Sequence, residues 1–261
     1  MHAISRKFNR SLASKTRNGS AQLDAREGEP SYPKIPRWKR TLDITFILLT
    51  LPCWSVLMIL VMGWIRIASP GPIFYRQERI GYRRNRFMIF KFRTMHVNAD
   101  TRTHAEYFAY LMQADCPMTK LDADDSRLIA CGRFLRATGL DELPQIFNVL
   151  RGEMSLVGPR PCLPHEFQRY ETWQQARVNV LPGLTGYWQV NGKNKTTFNE
   201  MIAMDIFYAD HMSFWVDLTI ILKTIPALIA QTSKSRAQKR ANGAMDRNGA
   251  TESLNQAVRK I

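Results

Sequence analysis

Apolar and polar positions follow three different periods along this chain. The first pattern has no polar face at all. From Ile44 to Ile65 the sequence reads ITFILLTLPCWSVLMILVMGWI, 22 residues without a charge. About 20 apolar helical residues suffice to cross a bilayer. A cleaved leader fits poorly, because some forty polar residues precede the run and it is too long for a signal core. Pro52 lies near the middle, where it removes a backbone hydrogen bond and bends a helix. Both flanks are basic: Lys39 and Arg40 come before, Arg66, Arg76, Arg79, Arg83, Arg84 and Arg86 after. A spanning helix would leave one flank outside, against the positive-inside bias. The pattern therefore favours a re-entrant hairpin bent at Pro52, with arms of about ten residues, roughly 15 Å each. A spanning helix and a fully buried soluble helix are the alternatives.

The next segments alternate with period two. IFYRQERIG predicts one strand and RFMIFKF a second, joined as a hairpin across Gly81–Asn85. Lys91 and Arg93 alternate with Phe90 and Phe92, so they are expected on one face of a strand whose other face is apolar. HAEYFAYLMQAD then predicts a helix and KLDADDSR a loop. The period changes to 3.6 in GLDELPQIFNVLRG, where Leu143, Ile146, Phe147 and Leu150 fall on one helical face. Pro144 belongs in a first turn, so this helix begins near Asp141, and Gly152 ends it. Two adjacent carboxylates, Asp141 and Glu142, thus stand at a helix N-terminus. Acids there cap the helix and suit its dipole, and the same dipole favours the ionised, nucleophilic carboxylate. In MSLVGPRPCLP, the turn Gly158–Pro159–Arg160–Pro161 fixes one arginine at low entropic cost. LPGLTGYWQVNGKN reads as a glycine-rich loop whose amides are available to phosphate oxygens. SFWVDLTIILKTIPALIAQ, residues 213–231, reads as an apolar helix interrupted at Pro226, suited to a membrane interface or to the core.

Composition adds one outlier. The 261 residues carry a formal net charge of +15, concentrated at the ends: residues 1–40 hold about ten Lys/Arg against three acids. Such tails are attracted to polyanions, whether nucleic acid or an anionic membrane surface. The four cysteines, Cys53, Cys116, Cys131 and Cys162, show no metal-ligand spacing and read as reduced thiols of a cytosolic setting. The five histidines form no metalloprotease motif, and there is no P-loop or dinucleotide fingerprint.

Taken in order, KRTLD before the broken apolar segment, GPIFYRQERIG, FKFRTM, GRFLRATGLDELPQIFNVLRGEMSLVGPRP, PGLTGYWQVNGK and MDIFYADHMSFWVDLTIILKT form a specific series. It closely resembles the bacterial sugar transferase family, the small monotopic phosphoglycosyl transferases that begin exopolysaccharide or O-antigen repeat units. The match runs from about Lys39 to Ile229. The resemblance implies transfer of a sugar-1-phosphate from a UDP-sugar to undecaprenyl phosphate with release of UMP. It implies Asp141 as nucleophile and Glu142 as the ligand of a Mg²⁺ cofactor. Lys91, Arg93, Arg136 and Arg160 would meet the phosphates, and Asp205 would complete the site. A re-entrant helix is a family feature as well. Departures are modest: Leu51 and Gly139 stand where serine is common, and DDSR replaces Asp-Pro-Arg, which makes Asp125 a family loop residue.

The expected architecture is α+β. Basic disordered tails occupy 1–38 and 233–261, and a re-entrant membrane helix occupies 39–69. A compact cytosolic α/β catalytic domain with amphipathic interfacial helices occupies 70–232, on the cytoplasmic side of the inner membrane. No nucleic acid partner is expected. Two rival functions stand beside this one. A DxD glycosyltransferase using Asp122 and Asp124 would release UDP. A non-enzymatic basic adaptor would bind the membrane and leave the acid pair idle.

Overall fold

The computed structural model describes residues 34–97, 99, 108–112, 114, 116–117, 125–192, 195–228 and 230. All lie within one unit that begins at Pro33. Most of both basic tails, and the pair Asp122 and Asp124, fall outside the described residues.

The long apolar run is not one helix. Helix α1 (Arg37–Leu49) stops at Thr50, and α2 (Leu51–Ala68) starts with Pro52 in its first turn. Proline is acceptable there because the first helical N–H groups have no partner to lose. Thr50 Oγ1 donates back to the Phe46 carbonyl at 2.7 Å. The indole N–H of Trp54 donates to the Ile47 carbonyl at 3.0 Å, which ties the two helices together across the break. Among the described residues, α2 alone is long and apolar enough to cross a membrane by length and composition. Its buried stripe is narrow: Met58, Val61 and Ile65 pack with Phe92, Ile129 and Leu135. Much of the rest is exposed, including Val56, Ile59, Leu60, Trp64 and Ile67, which is 88% exposed.

Strands β1 (Phe74–Ile80) and β2 (Arg86–Phe92) form the expected antiparallel hairpin, in register from Phe74 opposite Phe92 to Ile80 opposite Arg86. Its turn is a short 3₁₀ segment, Tyr82–Arg84, with Arg83 and Arg84 at φ 57° and 60°. Residues 108–112 are helical, within the helix expected over HAEYFAYLMQAD.

Helix α3 (Gly132–Thr138) ends at Gly139 in the left-handed region, φ 76°. A 3₁₀ segment, Leu140–Gln145, follows and runs into α4 (Ile146–Arg151). The expected helix therefore exists, but its first turns are tighter than α. Leu143, Ile146 and Leu150 of the expected face pack in or against the core, as does Val149, whereas Phe147 is exposed.

Strand β3 (Ser155–Val157) pairs in parallel with β4 (Gly183–Thr185). The predicted glycine loop is therefore partly a strand, followed by α6 (Tyr187–Asn191). Between β3 and β4 lie α5 (Pro164–Phe167) and a 3₁₀ segment, Gln174–Asn179. A Cβ on Gly158 would sit 2.2 Å from the Leu181 carbonyl, and one on Gly183 would sit 2.1 Å from the Gly158 nitrogen. Only glycine allows these two backbones to approach so closely. Helix α7 (Phe198–His211) opens with a capping box between Thr197 and Glu200. Among the described residues a further helix, α8, covers 214–228 and passes through Pro226 without a break, at the cost of one backbone hydrogen bond.

The packing that joins these parts depends on KRTLD. Lys39 is fully buried and donates to the Val157 carbonyl (2.8 Å), the Tyr208 hydroxyl (2.9 Å) and Asp217 (2.6 Å). Arg40 donates to the carbonyls of Val149 and Leu150, at the end of α4. Asp43 Oδ1 accepts from Ser155 Oγ and the Leu156 amide. Lys39 is therefore an internal ion-pair partner, not the solvent-facing flanking charge that its position beside the apolar run predicts.

Candidate active site

The hairpin register sets one face of the site. Residues 75, 77 and 79 of β1 point the same way as 87, 89 and 91 of β2, because opposed residues share a face. Arg79 and Lys91 thus stand on one side of the sheet. Lys91 Nζ donates to Glu142 Oε1 at 2.7 Å, and the two side chains are 17% and 37% exposed. Asp141 is the neighbouring residue of the same 3₁₀ turn, which Gly139 opens in the left-handed region and Pro144 stiffens. The Glu142 amide donates to the Gly139 carbonyl at 3.1 Å, closing that turn. The two acids are therefore first-turn residues, as the sequence implies.

Burial lowers the proton affinity of the Lys91 ammonium, and Glu142 opposes that effect. Arg160 lowers it further, Asp141 raises it, and Arg79 lowers it. Four charged groups from three segments therefore act on Lys91. Arg160 is exposed at the tip of its turn, while Pro159 and Pro161 on either side are buried. Arg136 sits in the last turn of α3, five residues before Asp141, and is partly exposed.

Two expected site residues face elsewhere. Arg93 lies just beyond the end of β2 and is 6% exposed. Its guanidinium donates to the Pro72 carbonyl (2.6 Å), Ser69 Oγ (3.2 Å) and the Ser69 carbonyl (3.0 Å). It closes the C-terminal end of α2, whose last carbonyls have no helical partner. Asp205 is 2% exposed and accepts from Arg177 at 2.6 Å. Burial lifts Asp205 to about 6, against the pull of Arg177, so the pair is charged at neutral pH. Arg177 also donates to the Tyr170 hydroxyl and the Arg160 carbonyl, both at 2.9 Å. Asp205 thus reaches the site only through Arg177 and the Arg160 backbone. Asp125 is engaged by the Arg127 amide and guanidinium, which makes it a loop-closing residue.

Part of the expected amide cradle of the glycine loop is taken up internally. Gly183 N–H donates to the Pro159 carbonyl and Gly158 N–H to the Thr185 carbonyl, both at 2.9 Å. Arg79 and Arg177 are the residues that motif reading passed over. Counting opposed residues from the hairpin turn would have placed Arg79 on the face of Lys91. Nothing local singles out Arg177, whose partners come from three separate segments.

An acid pair in a rigid turn, a lysine held by one of the acids, and an arginine fixed between prolines form a site suited to anionic phosphates. Residues 35–231 match the family described as bacterial sugar transferase. The exopolysaccharide production protein ExoY of Sinorhizobium fredii (strain NBRC 101917 / NGR234) is 40% identical over 192 residues, which cover 73% of this chain and 84% of that protein. The UDP-glucose:undecaprenyl-phosphate glucose-1-phosphate transferase of Xanthomonas campestris pv. campestris is 39% identical over 186 residues, covering 68% of this chain and 36% of that one. The undecaprenyl-phosphate galactose phosphotransferase of Salmonella typhimurium is 36% identical over 199 residues, covering 73% and 40% respectively. The chain therefore spans most of the first relative and less than half of the other two. With its match extending over three quarters of its length, the chain belongs to the bacterial sugar transferase family.

Proposed function

We propose that this protein transfers a hexose-1-phosphate from a UDP-sugar to undecaprenyl phosphate, releasing UMP, as the first step of exopolysaccharide or related glycan synthesis. The observation that carries the reading is the Lys91–Glu142 ion pair beside Asp141, in the field of Arg160. The names of two relatives supply the acceptor, undecaprenyl phosphate.

The chemistry takes two displacements. An Asp141 carboxylate oxygen attacks the phosphorus that bears the sugar. The bond from that phosphorus to the bridging oxygen breaks, and UMP leaves with the electron pair. A phosphate oxygen of the lipid then attacks the phosphoaspartyl phosphorus, and the Asp141 carboxylate is restored. Neither nucleophile carries a proton that must be removed, so no general base is needed. The main obstacle is repulsion between two phosphates, which Lys91, Arg136 and Arg160 reduce by placing fixed positive charge around the equatorial oxygens.

A magnesium ion suits the hard carboxylate donors of this turn. No group of three potential protein ligands occurs among the described residues. Magnesium commonly takes one or two carboxylates and completes its shell with water and substrate phosphate, so Glu142 would hold it. Bound there, it supplies further neutralisation of phosphate charge.

In this reading the catalytic unit lies at the inner membrane, facing the cytoplasm, with α1 and α2 embedded as a re-entrant pair. Their exposed apolar side chains support this, as do Phe214, Trp215, Leu222 and Ile225 on α8. The test is incubation of membranes containing the protein with a panel of UDP-sugars and undecaprenyl phosphate. UMP is expected. Release of UDP would favour a DxD glycosyltransferase, and release of neither nucleotide would favour a binding protein.

A further inference from the structure

Four consecutive carbonyls, from Pro159 to Cys162, each accept a hydrogen bond from a different donor. Gly183 N–H donates to Pro159 at 2.9 Å, and Ile80 N–H to Cys162 at 2.9 Å. Arg177 donates to Arg160 at 2.9 Å, and Arg79 Nη1 to Pro161 at 3.0 Å. Prolines on both sides of Arg160 also fix their own φ. Of these four residues only Arg160 is exposed. The turn is held at every step, and it presents a single guanidinium.

Arg79 is the costly donor in this set. Its residue is 5% exposed. Its Nη2 goes to Gln77 Oε1 at 2.6 Å, and its Nε is buried without a partner. No carboxylate among the described residues lies within ion-pair distance of it. A buried charge without a paired carboxylate is unfavourable, and an apolar side chain of similar length would fill the same space more cheaply. Burial pushes Arg79 down to about 10; Arg160 is the largest charge acting on it and lowers it further, while Glu166 and Glu142 oppose from a distance. Two cations are thus brought together where only one reaches the surface.

We propose that Arg79 is a positioning residue, holding the Pro161 carbonyl so that the Arg160 side chain is preset to receive an anionic phosphate group. This rests on the reading above that Arg160 meets a phosphate. Arg79 itself is sealed from the ligand and acts through Arg160.

The test is a double-mutant cycle in the full chain, purified in detergent, with inorganic pyrophosphate as the probe. Affinity by calorimetry and Tm are measured for wild type, Arg79→Met, Arg160→Ala and the double variant. Arg79→Met should weaken binding about tenfold when Arg160 is present, as expected for one lost charged hydrogen bond. With Arg160→Ala in place, the further loss should be less than about twofold. The fall in Tm should be the same in both backgrounds. An equal fold-loss of affinity in both backgrounds would mean a merely structural role and overturns the proposal. Unchanged affinity in Arg79→Met, or no measurable pyrophosphate binding by wild type, also overturns it. If Arg79→Met does not fold, Arg79→Lys enters the same cycle, with about a threefold loss expected only when Arg160 is present. UMP release by the wild type is recorded in parallel. Its absence would refute the proposed reaction, while the cycle would still decide the role of Arg79.

Discussion

Removing the carboxylate of Asp217 should destabilise the protein more than any change at its surface. Lys39 and Asp217 are 0% and 1% exposed at the side chain, and their charged atoms are 2.6 Å apart. The ammonium has two further acceptors, the Val157 carbonyl and the Tyr208 hydroxyl. Asp217→Leu leaves a buried cation with neutral acceptors only. Breaking a buried pair from one side costs about 3–5 kcal/mol, because the remaining charge is uncompensated. At about 2–4 °C per kcal/mol for a domain of this size, Tm should fall by roughly 6–20 °C. Lys39→Met should cost less than Asp217→Leu, since Tyr208 already donates to Asp217 at 2.7 Å and would keep the carboxylate partly satisfied. The double variant Lys39→Met/Asp217→Leu should recover part of the loss, because the unpaired ammonium is gone while buried Asp43 loses the nearby charge of Lys39. Thermal unfolding in one detergent, followed by intrinsic fluorescence, gives all four values. Equal losses for both single variants and an additive double variant would refute the reasoning, since the two charges would then be energetically independent.

Asp141→Asn should form no sugar-phosphate adduct with UDP-sugar at any Mg²⁺ concentration, whereas Glu142→Gln should form some when Mg²⁺ is raised; intact-protein mass spectrometry reads both. Asn caps a helix about as well as Asp, so full activity in Asp141→Asn would return the acid pair to a capping role. Burial lowers the Lys91 pKa below its ordinary value, so raising the pH should discharge Lys91 earlier than a free lysine. The folded state releases this proton before the unfolded state does, so Lys91 costs stability while charged and the cost fades as pH rises. Activity should instead fall on that alkaline limb, and Lys91→Arg should remove the limb from the pH profile of kcat/KM. Arg83 sits at φ 57° in an exposed turn. Arg83→Gly should therefore raise stability by about 0.5 kcal/mol in denaturant unfolding, left-handed strain outweighing lost chain stiffness.

The parts of the fold legible in sequence are those set by near neighbours. Period-two alternation and a five-residue turn suffice for the hairpin, and a proline in a first turn suffices to start a helix at the acid pair. Lys91 was legible because its strand alternates cleanly. Arg93 carried the same pattern, but the strand ends at Phe92, and alternation says nothing about residues beyond the last rung. Phe147 was misplaced because it lies at the edge of the apolar stripe, and local spacing does not say where the core ends. The deeper connections are long-range. Lys39 and Asp217 are 178 positions apart, and Arg79 and Pro161 are 82 apart. A lysine beside an apolar segment looks like a flanking charge until its partner is in view. The two glycines that touch, Gly158 and Gly183, likewise read as two separate loops.

The same long-range contacts bear on the proposed membrane embedding. The start of α1 is tied to the protein by Lys39, Arg40 and Asp43, through β3 and the end of α4. The end of α2 is tied to the same unit by Arg93, through Ser69 and Pro72. Were the apolar run a spanning helix, one set of ties would have to break, exposing a buried ammonium and a buried carboxylate. Each such loss costs about 3–5 kcal/mol. Embedding the pair from one side costs none of these contacts and still covers Leu48, Leu49, Val56, Ile59, Leu60 and Ile67, each worth about 1.5–3 kcal/mol if fully buried. Cysteines placed at Lys34 and at Asn85, both exposed, should therefore behave alike in a Cys53→Ser/Cys116→Ser background. In intact cells an impermeant maleimide should label neither, and after permeabilisation it should label both. Labelling of Lys34→Cys alone in intact cells would place the two ends of the apolar pair on opposite sides. Pro52→Ala probes the bend, since it frees the backbone to continue one helix through Thr50. If that variant keeps both cysteines shielded, the ties at Lys39 and Arg93, rather than the proline, hold the two ends on one side.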